Sequence, residues 1–407
     1  SGVDFTPQLD FEMRHDDNIA NTADNEQSSW ISVLTPELSA QLLSGPNQYR
    51  ALVKLVSGSY LSSSDDNYLD WQAQTSALLE LSSRHRLDVS ASYAGAHEAR
   101  GTGITEGQGN QLSEPAELRN FRLSGAYEYG TQSGRAQLRL FAAYYDKQYQ
   151  NYEELTQFRN YDSTKVGTEL FYNTGASTHL LAEINQVYTR YDLTDVTGSR
   201  DSDTTNYRIG GRWQPSELTA AELRIGYQNR KFDNPLRQDF SGVAWDMTLQ
   251  WAPLSYSRFN LSTGRQSKEP DTQGDFVKET HYSLFWTHQW QPLFSTRTGI
   301  KRVEDDYTGF DRSDTLMRYQ FSGHYSVMPK LLLGAGVVIL ATSLVVGSFY
   351  WLRDTSSVNT AKLLVTVDAC GMLLEEREGR RAARPRAPAR RRPWCGPARP
   401  GRRRWWP

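Results

Sequence analysis

Strict alternation of apolar and polar residues, in segments of about ten residues, constrains this chain more than any other feature. From Val3 to Arg14, every odd-numbered residue is apolar and every even-numbered residue is polar. The pattern recurs over residues 69–81, 243–251 and 282–290. Because a tilted strand of about ten residues crosses a bilayer, these segments predict transmembrane strands.

The connections between these segments alternate between short and long. Short turns are predicted near residues 43–48, 82–86, 130–135, 173–178, 214–217, 252–255, 291–295 and 326–330. Longer polar loops are predicted near residues 15–28, 61–67, 96–117, 146–162, 191–205, 229–241, 266–277, 304–314 and 353–361. Short periplasmic turns and long extracellular loops are typical of outer-membrane barrels, whereas a soluble sandwich has no reason to sort its loops by length. The pattern predicts an all-β fold, a transmembrane antiparallel up-and-down β-barrel of about 18 strands.

The composition agrees with strands whose two faces differ. Mean hydropathy is −0.65, yet aromatic residues make up 12% of the chain, with 22 Tyr and 11 Trp. A disordered polar chain would lack these rings. Tyr and Trp favour membrane interfaces because each combines an apolar ring with a polar group. The composition therefore favours a barrel located in the bacterial outer membrane.

Three of the short turns share a Trp-x-Pro pattern. Trp213, Trp251 and Trp290 each stand two residues before a proline, at intervals of one hairpin. Proline cannot continue the hydrogen-bonded ladder, so it ends a strand. We interpret the three Trp residues as interface anchors at the end of descending strands, although simple strand-ending chemistry would also explain the pattern.

Two parts of the chain differ sharply enough to be treated separately. We assign residues 1–369 to the outer-membrane β-barrel. Within them, residues 331–352 form an uncharged apolar run that is long enough to cross a bilayer as a helix. The run begins just after a short turn, where the seventeenth strand is due, and this position favours a long strand. Residues 362–368 alternate again and are predicted to form the closing strand.

Residues 370–407 have a different character from the rest of the chain. They contain twelve Arg against three Glu, together with the only two cysteines, Cys370 and Cys395. A Pro-rich block of like charge is typical of disordered sequence that binds nucleic acid or anionic lipid. Because barrel chains normally end on their last strand, we instead interpret this block as an aberrant, disordered tail and expect no nucleic-acid partner. The absence of cysteine from residues 1–369 suits export through an oxidising periplasm.

Motifs for catalysis or cofactor binding are missing from the sequence. There is no G-x-S-x-G elbow, no H-E-x-x-H zinc site and no P-loop. Acidic clusters in the long loops, such as Asp16-Asp17 and Asp65-Asp66, are candidates for divalent cations that bridge lipopolysaccharide, but none has EF-hand spacing and solvated loop ends explain them better. We predict no catalytic residue, no metal site and no cofactor, with outer-membrane lipid and lipopolysaccharide as partners.

The polar face of the predicted strands carries charges of both signs. Neighbouring strands either pair these charges to hold the wall together or leave them in open water, where they tune which solutes pass. Both alternatives require a wet interior, because an unpaired charge in a dry space is prohibitively costly. We predict that the lumen is lined by Arg122, Arg139, Glu169, Glu183, Arg208, Arg212, Glu222, Arg224, Asp246 and Arg318.

Three further features resemble a known family. They are the opening strand that runs into Arg14-His15-Asp16-Asp17-Asn18-Ile19, the Trp-x-Pro turns at hairpin spacing, and the closing sequence LLVTVDA at 363–369. Over residues 1–338 and 362–369 the chain resembles the outer-membrane β-barrel porin family associated with bacterial capsule and exopolysaccharide export loci. The resemblance implies a role in polysaccharide export, with periplasmic export proteins as partners. The apolar run and the tail depart from the family pattern.

The sequence therefore predicts an outer-membrane channel, not an enzyme, that passes hydrophilic solutes and is linked to exopolysaccharide or capsule export. The alternative is a barrel scaffold whose loops act as an adhesin or as a hydrolase. Catalytic residues from different loops can assemble in space, and spacing along the chain does not reveal such a site.

Overall fold

The computed structural model describes residues 2–22, 24–175, 177–270, 274–328, 331–346 and 366–369. Regular structure in these residues is almost entirely β, with one helical turn, α1 (Glu153–Thr156), and 3₁₀ turns at Ser64–Asp66, Gly103–Thr105 and Gln157–Arg159. No described helix has the length and apolar character needed to cross a membrane.

In the part of the chain that the structure describes, eighteen strands form one sheet. Their bounds are β1 (Val3–Asp16), β2 (Ser29–Ser44), β3 (Asn47–Tyr60), β4 (Tyr68–Ser82), β5 (His85–Glu98), β6 (Ala116–Tyr129), β7 (Ala136–Tyr149), β8 (Tyr161–Gly175), β9 (Thr178–Tyr191), β10 (Ser202–Ser216), β11 (Thr219–Phe232), β12 (Phe240–Leu254), β13 (Ser257–Lys268), β14 (Phe276–Gln291), β15 (Phe294–Thr308), β16 (Arg312–Met328), β17 (Leu331–Val346) and β18 (Thr366–Ala369).

Each strand pairs antiparallel with the strand that precedes it and the strand that follows it in the chain, from β1–β2 to β17–β18. The predicted all-β, antiparallel up-and-down architecture is therefore confirmed. Cα atoms of β1 and β18 approach within 8 Å, which brings the two ends of the sheet together. The described residues contain no hydrogen-bonded ladder between these two strands.

Connections of two to six residues join the strands at one rim, which we call the short-turn rim, and most connections at the other rim, the long-loop rim, are longer. The prediction of a long loop at residues 304–314 is wrong. β15 runs to Thr308 and β16 begins at Arg312, so only residues 309–311 connect them. The charged residues that suggested a loop belong to the hairpin, where Asp305 forms an ion pair with Lys268 and Asp306 forms one with Lys278.

The two faces of the sheet differ as the alternation requires. On β8, Glu169 has no exposed surface, whereas the neighbouring Leu170 is 49% exposed. β9 repeats the contrast with buried Glu183 beside exposed Ile184. Apolar side chains thus face outward, toward lipid, and charged side chains face inward, against one another.

The apolar run is extended where the structure describes it. Residues Leu331–Val346 form β17, which pairs with β16 along almost its whole length, from Arg312↔Val346 to Met328↔Leu331. This ladder satisfies the backbone of the run without a helix. The last residues of the run, 347–352, and the tail, 370–407, lie outside the described residues.

The three Trp-x-Pro tryptophans lie on β10, β12 and β14, each close to the short-turn rim. Trp213 and Trp251 face the same strand, opposite Ala221 and Thr219. All three are about half exposed, at 46%, 46% and 56% for Trp213, Trp251 and Trp290. Trp290 donates its indole N–H to Thr296 Oγ1 at 2.9 Å, which fixes the ring at the strand end.

We predict that Trp213, Trp251 and Trp290 lie at one common height in the membrane interface, because their amphipathic rings are most stable there. Fluorescence quenching by lipids brominated at different depths measures that height. Replacing each Trp by Phe should remove a signal that is quenched most by shallow bromines, while the Trp245→Phe control should remove a more deeply quenched signal. A spread of the three depths across the bilayer would contradict the prediction.

Candidate functional site

Two groups of ion pairs line the inner face from β5 to β11, and together we call them the ion-pair ribbon. The ribbon contains four Arg and four Glu, so it is balanced in charge. Its members are Arg86, Glu128, Arg139, Glu169, Glu183, Arg212, Glu222 and Arg224.

One end of the ribbon lies on β5, β6 and β7. Arg86 donates from Nε to Glu128 Oε2 at 3.0 Å, and Arg139 Nη1 donates to Glu128 Oε1 at 3.3 Å. The backbone carbonyl of Gly130 also accepts from Arg86 Nη1, at 2.9 Å. In the next ladder, Arg139 stands directly opposite Glu169. Ion pairs thus link β5, β6 and β7, and opposite charges face each other across the β7–β8 ladder.

Arg224 on β11 is the centre of the ribbon. Its Nη1 lies 2.9 Å from Glu169 Oε1 and 2.7 Å from Glu183 Oε2, and its Nη2 lies 2.7 Å from Glu222 Oε1. Glu222 also accepts from Arg212 Nε at 2.9 Å. Strands β8, β9 and β11 therefore share the guanidinium of Arg224, and β10 is joined to them through Arg212 and Glu222.

Burial separates the two kinds of ion pair in the ribbon. The side chains of Arg224, Glu169 and Glu183 are 10%, 0% and 2% exposed, whereas Arg212 is 46% exposed. Removing one partner from a buried pair leaves an uncompensated charge and costs about 3–5 kcal/mol, while an exposed pair contributes about 1 kcal/mol or less. The Arg224 contacts are therefore the structural part of the ribbon.

Six of the ten predicted lumen residues belong to the ribbon, and the other four do not. Asp246 stands opposite Arg224, and Arg208 stands opposite Glu183 in their ladders. Arg122 lies over the ring of Tyr145, 5.3 Å from its centroid. Arg318 lies on the distant strand β16, opposite Lys301. The sequence left two alternatives open, charges paired between neighbouring strands or charges in open water. The ribbon has the first arrangement, and Arg122 and Arg318 lie outside the ribbon.

Two ribbon residues, Glu128 and Arg86, are not among the ten predicted lumen residues, and Arg86 had been assigned to a turn. The boundary of the predicted turn at 82–86 included it, but the structure starts β5 at His85. Arg86 lies two residues before Asp88 on the same strand, so both side chains point to the interior face. Extending the alternation one step toward the turn would have found it.

A second part of the interior, a cavity of about 1130 Å³, lies against the inner faces of β1 to β5. We call it the amide-lined cavity, because glutamine is its most frequent lining residue. It reaches the short-turn rim, where Gln132 lies in the β6–β7 turn. Its amide side chains are those of Gln41, Gln48, Gln72, Gln74 and Gln132.

Charged side chains also line this cavity, with both signs interspersed. Glu37 stands opposite Lys54 and Gln41 opposite Arg50 across the β2–β3 ladder. Asp4 and Asp88 add carboxylates at its edges. Hydroxyl groups of Thr6, Ser39 and Ser76 fill positions between them. The cavity thus offers amide, hydroxyl and mixed charged groups to water, in contrast to the mutually paired charges of the ribbon.

Two arginine-centred knots hold the long-loop rim. In the first, Arg100 donates to both carboxylate oxygens of Asp66, at 2.6 and 2.5 Å, and to the carbonyl of Leu112 at 3.1 Å. Hydrogen bonding to Asp66 raises the pKa of Arg100 above its ordinary value. This knot joins the loop at 61–67 to the loop at 99–115.

The second knot is centred on Arg237, whose side chain is only 5% exposed. Arg237 donates to the carbonyl of Ser199 at 2.7 Å, to Thr197 Oγ1 at 2.6 Å and to Asp275 Oδ1 at 2.7 Å. It therefore joins the loops at 192–201, 233–239 and 269–275. Asp195 lies in the first of these loops and accepts from the backbone N–H of Thr197 and from Arg200.

In the described part of the chain, no group of three or more His, Cys, Asp or Glu side chains is placed to hold a metal ion. The acidic clusters at 16–17 and 65–66 are drawn into other contacts instead, since Asp66 binds Arg100 and Asp16 accepts from the backbone N–H of Asn18.

Comparison with known proteins identifies one matching family. The family model described as "Putative beta-barrel porin 2" matches residues 4–351. No curated protein has a sequence that matches this chain significantly.

The solved structures to which this chain is similar have low sequence identity to it. The FrpB iron transporter from Neisseria meningitidis (F3-3 variant) is 10% identical, with a TM-score of 0.45, and 83% of this chain aligns with 62% of that chain. The siderophore receptor PirA from Acinetobacter baumannii is 9% identical with a TM-score of 0.46, covering 90% of this chain and 73% of that one. The copper transporter OprC has the same identity and TM-score, covering 91% and 81%. The chain thus spans less than two thirds of the FrpB structure's length.

We predict that Arg224→Met lowers the free energy of unfolding by about 3–5 kcal/mol, because it leaves Glu169 and Glu183 as unpaired buried charges. The matched control, Arg212→Gln, should cost about 1 kcal/mol or less, because that pair is half exposed. Adding Glu169→Gln to Arg224→Met should recover part of the loss. Urea titration in liposomes, followed by gel mobility, measures these values, and equal losses for both single variants would contradict the assignment.

We predict that the second knot loosens in acid. Although burial favours the neutral acid, hydrogen bonds from Thr197 and Arg200 hold the pKa of Asp195 below its ordinary value. A lowered pKa gives stability that is present above the ordinary value of about 4 and is lost as the pH falls through the folded value. Pepsin should therefore cleave near exposed Val196 at about pH 2 but not at about pH 5. Asp195→Asn should be cleaved at both, and equal resistance of wild type and variant at about pH 5 would refute the linkage.

Proposed function

The chain belongs to the beta-barrel porin family whose model it matches over residues 4–351, and from this premise we propose that it is a channel for polysaccharide export. The family supports the coarser statement, an outer-membrane channel or transporter located in the bacterial outer membrane. A porin-like barrel also favours a transport role over a catalytic one. The finer proposal, the polysaccharide, depends on the chemistry of the amide-lined cavity.

The amide-lined cavity is the observation that carries the proposal. It lies on the inner face and reaches the short-turn rim, which is periplasmic in the usual orientation of outer-membrane barrels. An exported chain would meet this surface first. A volume of about 1130 Å³ exceeds the range of about 300–1,000 Å³ that is typical of small-molecule pockets, so several sugar units fit.

The lining suits a polyhydroxylated chain. Each Gln side chain offers a carbonyl acceptor and two N–H donors, which can bind adjacent hydroxyl groups of a sugar. Gln72 and Gln74 stand two residues apart on β4 and so face the same side, spaced along the strand. The nearby charges are of both signs, Glu37 and Asp88 against Arg50 and Lys54, so the cavity does not select for one sign of solute.

The ion-pair ribbon supports the same proposal from the adjoining wall. Its charges bind one another, so they hold the wall in shape and leave little unbalanced field in the lumen. We therefore assign solute contact to β1–β5 and mechanical support to β5–β11. Outer-membrane lipid, lipopolysaccharide and periplasmic export proteins remain the partners that we propose.

Flux through purified protein in liposomes tests the channel. We predict that neutral oligosaccharides enter proteoliposomes faster than protein-free liposomes, and that Gln72→Leu with Gln74→Leu slows oligosaccharide flux several-fold more than flux of a small ion. Light scattering after an osmotic step measures the rates. Equal swelling of proteoliposomes and protein-free liposomes would exclude an open channel, whereas equal slowing of sugar and ion would exclude a sugar-contacting wall.

Ion selectivity tests the placement of the cavity in the conducting path. We predict that Arg50→Gln changes the anion-to-cation permeability ratio about two-fold in favour of cations, because a positive charge leaves the lumen. The control Arg84→Gln removes the same charge from the short β4–β5 turn, outside the cavity lining. Reversal potentials in planar bilayers under a salt gradient measure both variants. Identical shifts for Arg50 and Arg84 would place the path elsewhere.

A further inference from the structure

The loop at 99–115, which joins β5 to β6 and which we call the crossing loop, makes a contact far from its own hairpin. Arg312, the first residue of β16, donates from Nη1 to Glu106 Oε2 at 3.0 Å, and its Nη2 bonds to Glu106 Oε1. The guanidinium also lies over the ring of Tyr307, 4.7 Å from its centroid. Two hundred and six residues separate the two partners in sequence.

The position of this contact in the sheet shows the path of the loop. From β5, strands β4, β3, β2, β1, β18 and β17 intervene before β16 in one direction, and β6 to β15 intervene in the other. The shorter way is seven strand spacings, or roughly 34 Å of wall. A loop that only stood above its own hairpin would not meet the opposite wall. The crossing loop therefore extends across the opening of the long-loop rim.

The crossing loop is packed against its own side of the barrel up to Ile104, two residues before Glu106. Ile104 is buried against Leu118 and Tyr149, which share the inner face of their strands with Glu128 and Arg139. Arg100 at the start of the loop binds Asp66.

Below it lies the loop at 17–28, called the supporting loop. Ala20 has no exposed surface, and Asn21 donates to the carbonyl of Arg100 at 3.0 Å. Ile19 is buried against Ile31 and Val33, which share the face of β2 that lines the amide-lined cavity. The two loops thus occupy the long-loop end of the lumen.

The contact of the crossing loop with β16 is of a different kind. Glu106 retains 35% exposure of its side chain, and its attachment to β16 is ionic, not a packed apolar contact. Arg312 has a second carboxylate partner, because Asp314 accepts from its Nε at 2.9 Å and from its Nη2 at 2.5 Å. When Glu106 leaves, Arg312 therefore keeps a counter-ion. This arrangement lowers the cost of release, which for a buried arginine without a partner would be several kcal/mol.

We propose that the crossing loop is a cover over the outer mouth of the channel, packed against the β5–β7 side and latched to β16 by the Glu106–Arg312 ion pair. The inference rests on the proposed channel function and adds its regulation. In the latched state the amide-lined cavity is open toward the short-turn rim while the loop spans the opposite mouth. Passage of a chain through the outer mouth requires the latch to open.

Reversible cross-linking tests the cover directly. In a Cys370→Ser, Cys395→Ser background, Glu106→Cys and Arg312→Cys are joined by a short bis-methanethiosulfonate reagent, because the long side chains that meet place the backbones too far apart for a direct disulfide. We expect single-channel conductance in planar bilayers to fall on cross-linking and to recover when a reducing agent cleaves the linker. Conductance that is the same before cross-linking, after it and after cleavage overturns the cover.

A charge variant tests the latch without covalent chemistry. Glu106→Gln should raise the ratio of open to closed dwell times about three- to ten-fold, because the ion pair is partly exposed and stabilises only the closed state. The matched control, Glu154→Gln, removes an exposed carboxylate from the α1 loop at the same rim and should leave the ratio unchanged. Equal ratios for Glu106→Gln and wild type, in a conducting protein, overturn the latch alone. Absence of conductance in wild type and all variants overturns the proposed channel, and the cover with it.

Discussion

Backbone hydrogen bonding in lipid is the constraint on which the rest of this structure depends. An N–H or C=O group without a partner costs several kcal/mol in hydrocarbon, so a chain of strands must pair each one with its neighbours. The simplest solution pairs each strand with the next in sequence, and the ladders from β1 to β18 follow that order. Once the ladders are formed, the two-residue period of a strand determines which side chains face the lipid and which face the interior. Outer positions take leucine, tyrosine and tryptophan, and inner positions take charge and amide.

Inner charges create a second requirement, because each must find water or a counter-ion. The two walls meet it differently. On β5–β11 the four Arg and four Glu of the ion-pair ribbon satisfy one another around Arg224. On β1–β5 the inner face carries amides and hydroxyls, which hydrogen-bond to water or solute at small cost. Rigidity and solute contact are thus separated around the circumference. A wall that had to perform both tasks would lose its ion pairs whenever a polar solute competed for them.

The sequence predicted the strands better than it predicted their partners. Alternation is a local property, and it located the faces of Glu169, Glu183 and Arg224 because each inner residue is two positions from the next. It misjudged residues 304–314, where charged side chains looked like a loop but form ion pairs along a hairpin that extends past the apolar band. It also missed Arg86, which lies next to a turn. The Glu106–Arg312 pair was beyond reach, because no local pattern connects a loop to a strand on the other side of an opening.

The loops of the long-loop rim show how such a protein can combine a fixed mouth with a moving part. Arg100 and Arg237 are both nearly buried, and each binds carbonyl oxygens and a carboxylate. Moving either side chain would therefore remove the hydrogen-bond partner of several groups at once. Arg312 is placed otherwise. Its carboxylate partners are Glu106 on the crossing loop and Asp314 on its own strand, so losing the first leaves it still paired. Breaking the Glu106–Arg312 contact therefore leaves no buried charge without a counter-ion, which keeps its cost low. Motion of the rim should begin there, because the knots around Arg100 and Arg237 would have to break several hydrogen bonds together before either loop group moved.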